Sequence, residues 1–250
     1  MLTTIEYRSK KIKVDLSKPL DISIPIKDGK DNVNAWYLEP PTIKPEQFDD
    51  DIVSVAQGAC VNFNTIKFNP HSHCTHTETA GHITKEVYSI NKYLKTFFFL
   101  AEVITVAPEK RKKDFVISKK QLQYAIGNKK REAIVIRTLP NTKSKKTRQY
   151  SNTNPTYLEE DAAEYLKSKN VKHLLIDLPS VDKEKDDGEL LSHNVFWNTK
   201  GDIRLDATIT EFIYVSNKIE DGTYILNLQI APFENDASPS KPVLYKVLSS

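Results

Sequence analysis

This sequence predicts a mixed α/β fold in one domain spanning residues 1–250, on three observations. Short segments rich in β-branched and aromatic residues outnumber the helical ones. Two segments carry helix-start signals. One of those helices lies between two apolar strands, the order of a crossover connection, which implies some parallel pairing. Because strands exceed a regular β–α alternation, a second β layer is expected.

Taken in order, residues 22–26 and 53–56 read as short strands. Residues 61–63 and 66–68 repeat with period two, as a half-buried strand does. Residues 97–106, 133–137, 173–176, 208–215 and 223–230 read as further strands. Ser118 with Gln121 forms a capping box ahead of Leu122, Ala125 and Ile126, and Gly127 sits where a C′ residue belongs. Thr156 with Glu159 repeats the signature. Leu158, Ala162, Tyr165 and Leu166 then fall on one helical stripe that Asn170 ends. Between Leu139 and Pro155 runs a polar stretch with no apolar period, read as a solvated mobile loop, with a lid or substrate loop as the sharper reading.

Composition removes several function classes. With 36 Lys+Arg against 33 Asp+Glu the net charge is only +3. The basic runs beginning at Lys110, Lys129 and Lys143 read as solvated faces, and no nucleic-acid motif accompanies them. No window approaches the roughly 18 to 20 apolar residues of a membrane span, and the first residues lack a signal-peptide apolar core. Two cysteines, Cys60 and Cys74, make no disulfide scaffold, so a cytoplasmic protein is expected. The expected partner is a small molecule, with no nucleic acid and no membrane.

One count points at a site: four of the six histidines lie between His71 and His82. A uniform scatter would place about 0.3 there. The segment Asn69–Pro–His71–Ser–His73–Cys–Thr–His76–Thr–Glu78–Thr–Ala–Gly–His82 offers imidazole and carboxylate, the natural ligands of a divalent metal such as zinc. In extended chain His76 and Glu78 project to the same side. A turn between Pro70 and His76 brings either His71 or His73 to the same point. Far downstream, Glu211 sits between Ile209 and Ile213 on the buried side of a strand, where a carboxylate is costly unless paired or metal-bound. His193 precedes an apolar run and reads equally as a core histidine. His173 reads as structural, Cys74 as a small buried residue, with an additional thiolate ligand as the alternative, and Asp177 as a partner for the turn after its strand.

These residues resemble the cyclase family of metal-dependent hydrolases, the group that includes kynurenine formamidase and isatin hydrolase. The family pattern is H-x-G-T-H-x-D-x-x-x-H. Thr75-His76-Thr77-Glu78-Thr79-Ala80-Gly81-His82 matches its latter part, with Glu in place of Asp. The resemblance implies His76 and Glu78 as metal ligands and His82 as catalytic acid/base. Ser72 stands at the first motif position and Cys74 at the motif glycine. A one-residue expansion gives the first-ligand role to His71, preferred over His73 because Pro70-His71 resembles the family's entry. Val14-Asp-Leu-Ser17 resembles the family's opening D-L-S, and Asp177-Leu-Pro-Ser-Val-Asp182 its D-x-P-S-x-D segment. His193 falls where the family places an additional metal-binding His, Glu211 matches the Glu that follows downstream on a strand, and Asp236-Ala-Ser-Pro239 resembles the family's closing segment. The implied fold is a swivelling β/β/α type, assembled as a homodimer or homotetramer. The implied activity is arylformamidase-like hydrolysis with one or two ions, zinc or manganese, Glu78 bridging to an ion held by His193 and Glu211. The departures from the pattern motivate an alternative, a metal-binding protein of this fold with non-hydrolytic or no catalytic activity.

Overall fold

Seven strands form the frame of the molecule: β1 (His76–Glu78), β2 (Phe98–Val106), β3 (Ala133–Thr138), β4 (His173–Ile176), β5 (Thr208–Glu211), β6 (Gly222–Ile230) and β7 (Ala237–Leu248). In the computed structural model, which describes residues 1–248, they pair in the order β7-β6-β2-β3-β4-β5-β1. β1 also pairs with β7, so the sheet closes on itself like a barrel. β2 through β5 run parallel, and the remaining pairings are antiparallel. Part of the strand surplus lies outside this closed sheet, in one three-stranded sheet and two two-stranded ones. Closing a sheet removes its exposed edges.

The parallel strands are connected by helices α2 (Lys119–Ile126), α3 (Glu160–Ser168) and α4 (Leu191–Trp197), the single turn α1 (Pro70–His73) lying earlier in the chain. All six residues of β3 are buried, as expected of a parallel strand covered on both faces. Ile134 and Ile136 pack with Leu122 and Ile126 of α2, Leu166 of α3 and Phe196 of α4. Ala133 and Val135 face the other way, into the barrel, with Phe99, Val103, Leu226 and Leu228. The Ser118 capping box forms as the sequence predicts, and Gly127 closes α2 at φ 56°. Among the described residues no helix is long and apolar enough to cross a membrane.

Several local expectations are corrected. Residues 22–26 are extended but lie outside the strands: Ile22 bonds to Pro242 and Tyr214, and the Ile24 N–H donates to Thr75 Oγ1 at 2.7 Å. Residues 53–56 form no strand: Ser54 precedes a 3-10 turn, Val55–Gln57, that takes in the last two of them. The strand Asn64–Lys67 pairs only with Thr42–Pro45 and is exposed along its length, not half-buried. Strand β5 stops at Glu211, and Phe212 takes the left-handed region at φ 53°. The Thr156 box does not form. Tyr157–Leu158 pair with Val116–Ile117 instead, which holds them extended, and α3 begins at Glu160.

The polar stretch after Leu139 is solvated along most of its length but tethered at the buried Asn141, Lys145 and Tyr150. Lys145 is 3% exposed, and its Nζ donates to Thr138 O (2.7 Å), Thr138 Oγ1 (2.8 Å) and Asp177 Oδ2 (2.7 Å). Asp177 therefore serves Lys145 and Thr138, not the turn after its own strand. Tyr150 is buried against Phe212, and its N–H donates to Asn34 O. In the Lys129 run, Lys129 and Arg131 pair with buried Glu102. Lys110, Lys112 and Lys113 are exposed.

Candidate metal centre

The closing strand β1 carries the centre. Its period-two geometry sends His76 and Glu78 to one face and Thr77 to the other, where Thr77 Oγ1 meets Thr210 Oγ1 at 2.8 Å. His76 lies opposite Glu211 in the β5 register, so those side chains share a face. Glu211 Oε2 is 3.4 Å from His76 Nε2, and Oε1 accepts the Val181 N–H at 3.0 Å. The carboxylate that the sequence places on a buried strand is 3% exposed.

Helix α4 supplies His193 from the opposite side. Asp182 accepts the backbone N–H groups of Ser192 (2.7 Å) and His193 (3.1 Å) in the first turn of that helix. The same carboxylate accepts His193 Nδ1–H at 2.6 Å, and Nε2 then faces Glu78 Oε1 at 3.2 Å. His193 Nε2 also lies 3.8 Å from Glu211 Oε1.

The turn before β1 settles which of two histidines faces inward. Asn69 caps α1 by accepting the His71 N–H at 2.9 Å, and Pro70 follows at the first helical position. His71 Nδ1 lies 3.1 Å from Glu78 Oε2, and Nε2 lies 2.9 Å from Asp236 Oδ2. The His73 ring turns away, its Nδ1 accepting the Asn69 N–H at 2.9 Å. Cys74 also stays out: its thiol is directed at Pro70 O, and burial pushes its pKa up to about 12.

After β1 a 3-10 turn, Ala80–His82, returns His82 to the centre. Gly81 is required there, because a Cβ would lie 2.5 Å from the Tyr88 backbone nitrogen. His82 Nε2 is 3.9 Å from Glu78 Oε2 and Nδ1 is 3.4 Å from Asp236 Oδ2. Its side chain is 33% exposed, whereas His76 and His193 are buried.

Thus Glu78 is the hub around which His71, His76, His82, His193 and Glu211 gather, while His73 and His173 lie elsewhere. The donor set fits a divalent cation. His76 Nδ1 is 3.0 Å from Cys74 O, an acceptor only, so Nδ1 carries the proton and Nε2 the lone pair. That Nε2 is buried with no hydrogen-bond partner and faces carboxylate oxygens, an arrangement a cation relieves. Glu78 Oε2 likewise has no hydrogen bond of good geometry.

The electrostatics are those of crowded carboxylates and imidazoles. Burial opposes charge on His71, yet its bonds to Asp236 and Glu78 raise its pKa to about 10. Burial likewise opposes charge on His193, which Asp182 and Glu78 raise to about 10. Burial would raise Glu78, but the charge of His82 and the bonds to His193 and His71 hold it well below the usual range. Asp236 and Asp182, also pushed up by burial, are held down by their histidine partners.

Comparison with protein families matches the Cyclase family's sequence profile to residues 14–183, a span that contains the whole His71–His82 segment and Asp182. The chain belongs to the cyclase family. Comparison of this cyclase-family chain with curated proteins returns no match. Among solved structures it is similar to a predicted metal-dependent hydrolase from Bacillus stearothermophilus, at 16% identity and TM-score 0.65, covering 91% of this chain and 98% of that one. It is also similar to isatin hydrolase A from Labrenzia aggregata bound to benzyl benzoate (11%, TM-score 0.68, 92% and 94% covered). A third is an isatin hydrolase bound to the product analogue thioisatinate (15%, TM-score 0.63, 92% and 93% covered). At these identities the likeness establishes a shared fold.

Two residues of the cyclase-family centre escape the sequence reading. Asp182 and Asp236 lie in segments that resemble family motifs, but no local pattern assigns them a role. Asp182 reaches His193 by capping a helix that starts nine residues later. Asp236 arrives because Ala237 pairs with Glu78 across β7 and β1, a long-range register.

Proposed function

We propose that this cyclase-family protein is a metal-dependent hydrolase of a small amide or related carbonyl compound, arylformamidase-like in its chemistry. His71, His76, Glu78, His193 and Glu211 hold one or two divalent cations, zinc or manganese, and His82 is the general acid/base. The observation that carries the reading is His76 Nε2, a buried lone pair set among carboxylates with no partner. A divalent cation at such a site supplies an activated water at neutral pH and polarises a carbonyl.

The residues around it have distinct tasks. His76 is held in one tautomer by Cys74 O, and His193 by Asp182, in the way that an acceptor on the far ring nitrogen orients a metal-binding imidazole. Glu78 offers one oxygen toward His193 and the other toward His71, so it serves both halves of the donor set. His82 combines closeness to Glu78 with solvent exposure, which suits it to take a proton from water and return it to a leaving nitrogen. The solved structures named as metal-dependent hydrolase and isatin hydrolase support this class of reaction. A homodimer or homotetramer is part of the proposal. Phe48, Val55, Val61, Phe63 and Ile66, each more than half exposed between residues 48 and 66, are the apolar surface that favours it.

The test loads chelator-treated protein with zinc or manganese, measures bound metal, and follows turnover of an N-aryl formamide and of isatin. Wild type is expected to turn over at least one, and His82→Ala to keep its metal while kcat falls about 10²- to 10⁴-fold. Wild type carrying full metal but inactive on both overturns the reading.

A further inference from the structure

The imidazoles of His71 and His82 stack with centroids 4.2 Å apart and planes inclined by 25°. Both rings span the same two carboxylate oxygens. On one side is Asp236 Oδ2, 2.9 Å from His71 Nε2 and 3.4 Å from His82 Nδ1. On the other is Glu78 Oε2, 3.1 Å from His71 Nδ1 and 3.9 Å from His82 Nε2. The rings therefore lie in opposite senses between one pair of acceptors. The backbone fixes Asp236 at this point: its carbonyl accepts the Thr79 N–H at 3.0 Å, and the next residue, Ala237, pairs with Glu78.

An ionised carboxylate only accepts hydrogen bonds, while a neutral imidazole has one N–H and one lone pair. Glu78 is an acceptor as well, so the choice is made by the cation proposed above: bound on the Glu78 side, it claims the lone pairs there and leaves Asp236 to receive the N–H of each ring. We propose that Asp236 is a positioning residue that holds, through a single oxygen, the tautomer of a metal ligand and of the acid/base residue together. His71 is held as the Nε2–H form with Nδ1 free to ligate. His82 is held as the Nδ1–H form, which makes Nε2 the atom that accepts a proton. This rests on the roles given to His71 and His82 under Proposed function. Asparagine at this position keeps the shape but sets either a neutral, weaker acceptor oxygen or an NH2 donor in the place of Oδ2, and in both cases the hold on the two N–H groups is loosened.

The experiment uses histidine labelled with ¹⁵N in the zinc-loaded protein, with long-range ¹H–¹⁵N spectra reporting each ring's tautomer and His71→Gln and His82→Gln assigning the signals. Wild type is expected to show His82 as Nδ1–H and His71 as Nε2–H with Nδ1 on zinc. Asp236→Asn is expected to move His82 out of the Nδ1–H form and to weaken zinc binding, by chelator competition, about 10- to 100-fold. Where turnover is measured, kcat falls about 10²- to 10⁴-fold, and Asp236→Glu recovers most of both losses. A wild-type His82 found as Nε2–H overturns the proposal without any variant. So do tautomers and affinity that Asp236→Asn leaves unchanged. The tautomers and the affinity need no substrate. If position 236 controls them in a protein that hydrolyses neither test compound, the positioning role stands and only the hydrolase reading falls.

Discussion

Replacing Asp182 by Asn tests how the centre is built more sharply than removing a ligand does. Asp182 Oδ2 accepts His193 Nδ1–H at 2.6 Å, and its two oxygens also receive the N–H groups of Ser192 and His193. Asparagine has one acceptor oxygen where aspartate has two, so in the place of Oδ2 that oxygen still receives the His193 N–H and Nδ1–H while the NH2 faces the Ser192 N–H and that contact is lost. What changes at His193 is the charge behind the imidazole. A hydrogen bond to a charged group contributes about 1.5–3 kcal/mol. Loss of an outer partner of a metal-binding histidine weakens binding about 10- to 100-fold, which is about 1.4–2.8 kcal/mol. The two ranges agree, so Asp182→Asn should raise the zinc Kd by one to two orders of magnitude, and it should also lower the thermal midpoint of the chelator-treated protein, which loses the same charged hydrogen bond. Titration calorimetry of zinc into that protein gives the Kd. A value within about twofold of wild type, beside a large loss in His193→Ala, refutes the claim that Asp182 acts through the His193 ring.

Other consequences follow from the same geometry. Their carboxylate partners raise His71 and His193 to about 10, against about 6.5 for an unperturbed histidine, so their stabilisation is complete below about pH 6.5 and is lost as pH rises through about 10. The urea midpoint of chelator-treated protein should therefore fall over that interval, and less so with zinc bound. On the acid side Glu78, Asp182 and Asp236 are depressed, so their contribution is present above about pH 4.5 and lost as pH falls through their lowered values. Lys145→Ala leaves Asp177 buried and uncompensated and should cost about 3–5 kcal/mol in urea unfolding, most of it recovered in Lys145→Met/Asp177→Asn. Gly81→Ala forces the turn off the Tyr88 backbone, with an expected cost of about 1–3 kcal/mol and a matching loss of His82 function, read by unfolding and by turnover.

The parts of this protein legible in the sequence are those set by local chemistry. The Ser118 box, the buried run of β3 and the grouping of His71, His76, Glu78 and His82 each depend on residues within a few positions of one another. The failures share one cause, which is tertiary contact overriding a local signal. Thr156 looks like a cap, yet the N–H of Leu158 donates to Val181 O and that of Glu159 to Ile117 O, which keeps the segment extended. Lys145 stands in a run that looks solvated, yet Thr138 and Asp177 supply three acceptors for its buried ammonium. Asp236 has no local signature, because its contact with two histidines exists only once β7 has paired with β1.

Two of the three departures from the family pattern, Ser72 and Glu78, compensate each other. Successive residues on a helix point about 100° apart, so moving a histidine by one position normally turns it out of a site. Here the histidine lies one position before the motif's place, now Ser72, on a single turn whose orientation is fixed from outside. The Trp36 indole donates to His71 O at 3.1 Å, and the Asn32 amide donates to His73 O at 2.6 Å. That leaves the His71 ring farther along the chain from His76 than the pattern provides. The second departure, Glu for Asp at position 78, adds a methylene to the carboxylate that has to meet it. Glu78 does meet it, placing Oε2 at 3.1 Å from His71 while Oε1 stays 3.2 Å from His193. A shifted ring and a longer acid thus restore one centre, and they do so on the strand that closes the barrel. Thr77 faces Thr210 on one side of β1 while its neighbours build the site on the other, so the pairing that completes the fold also assembles the chemistry.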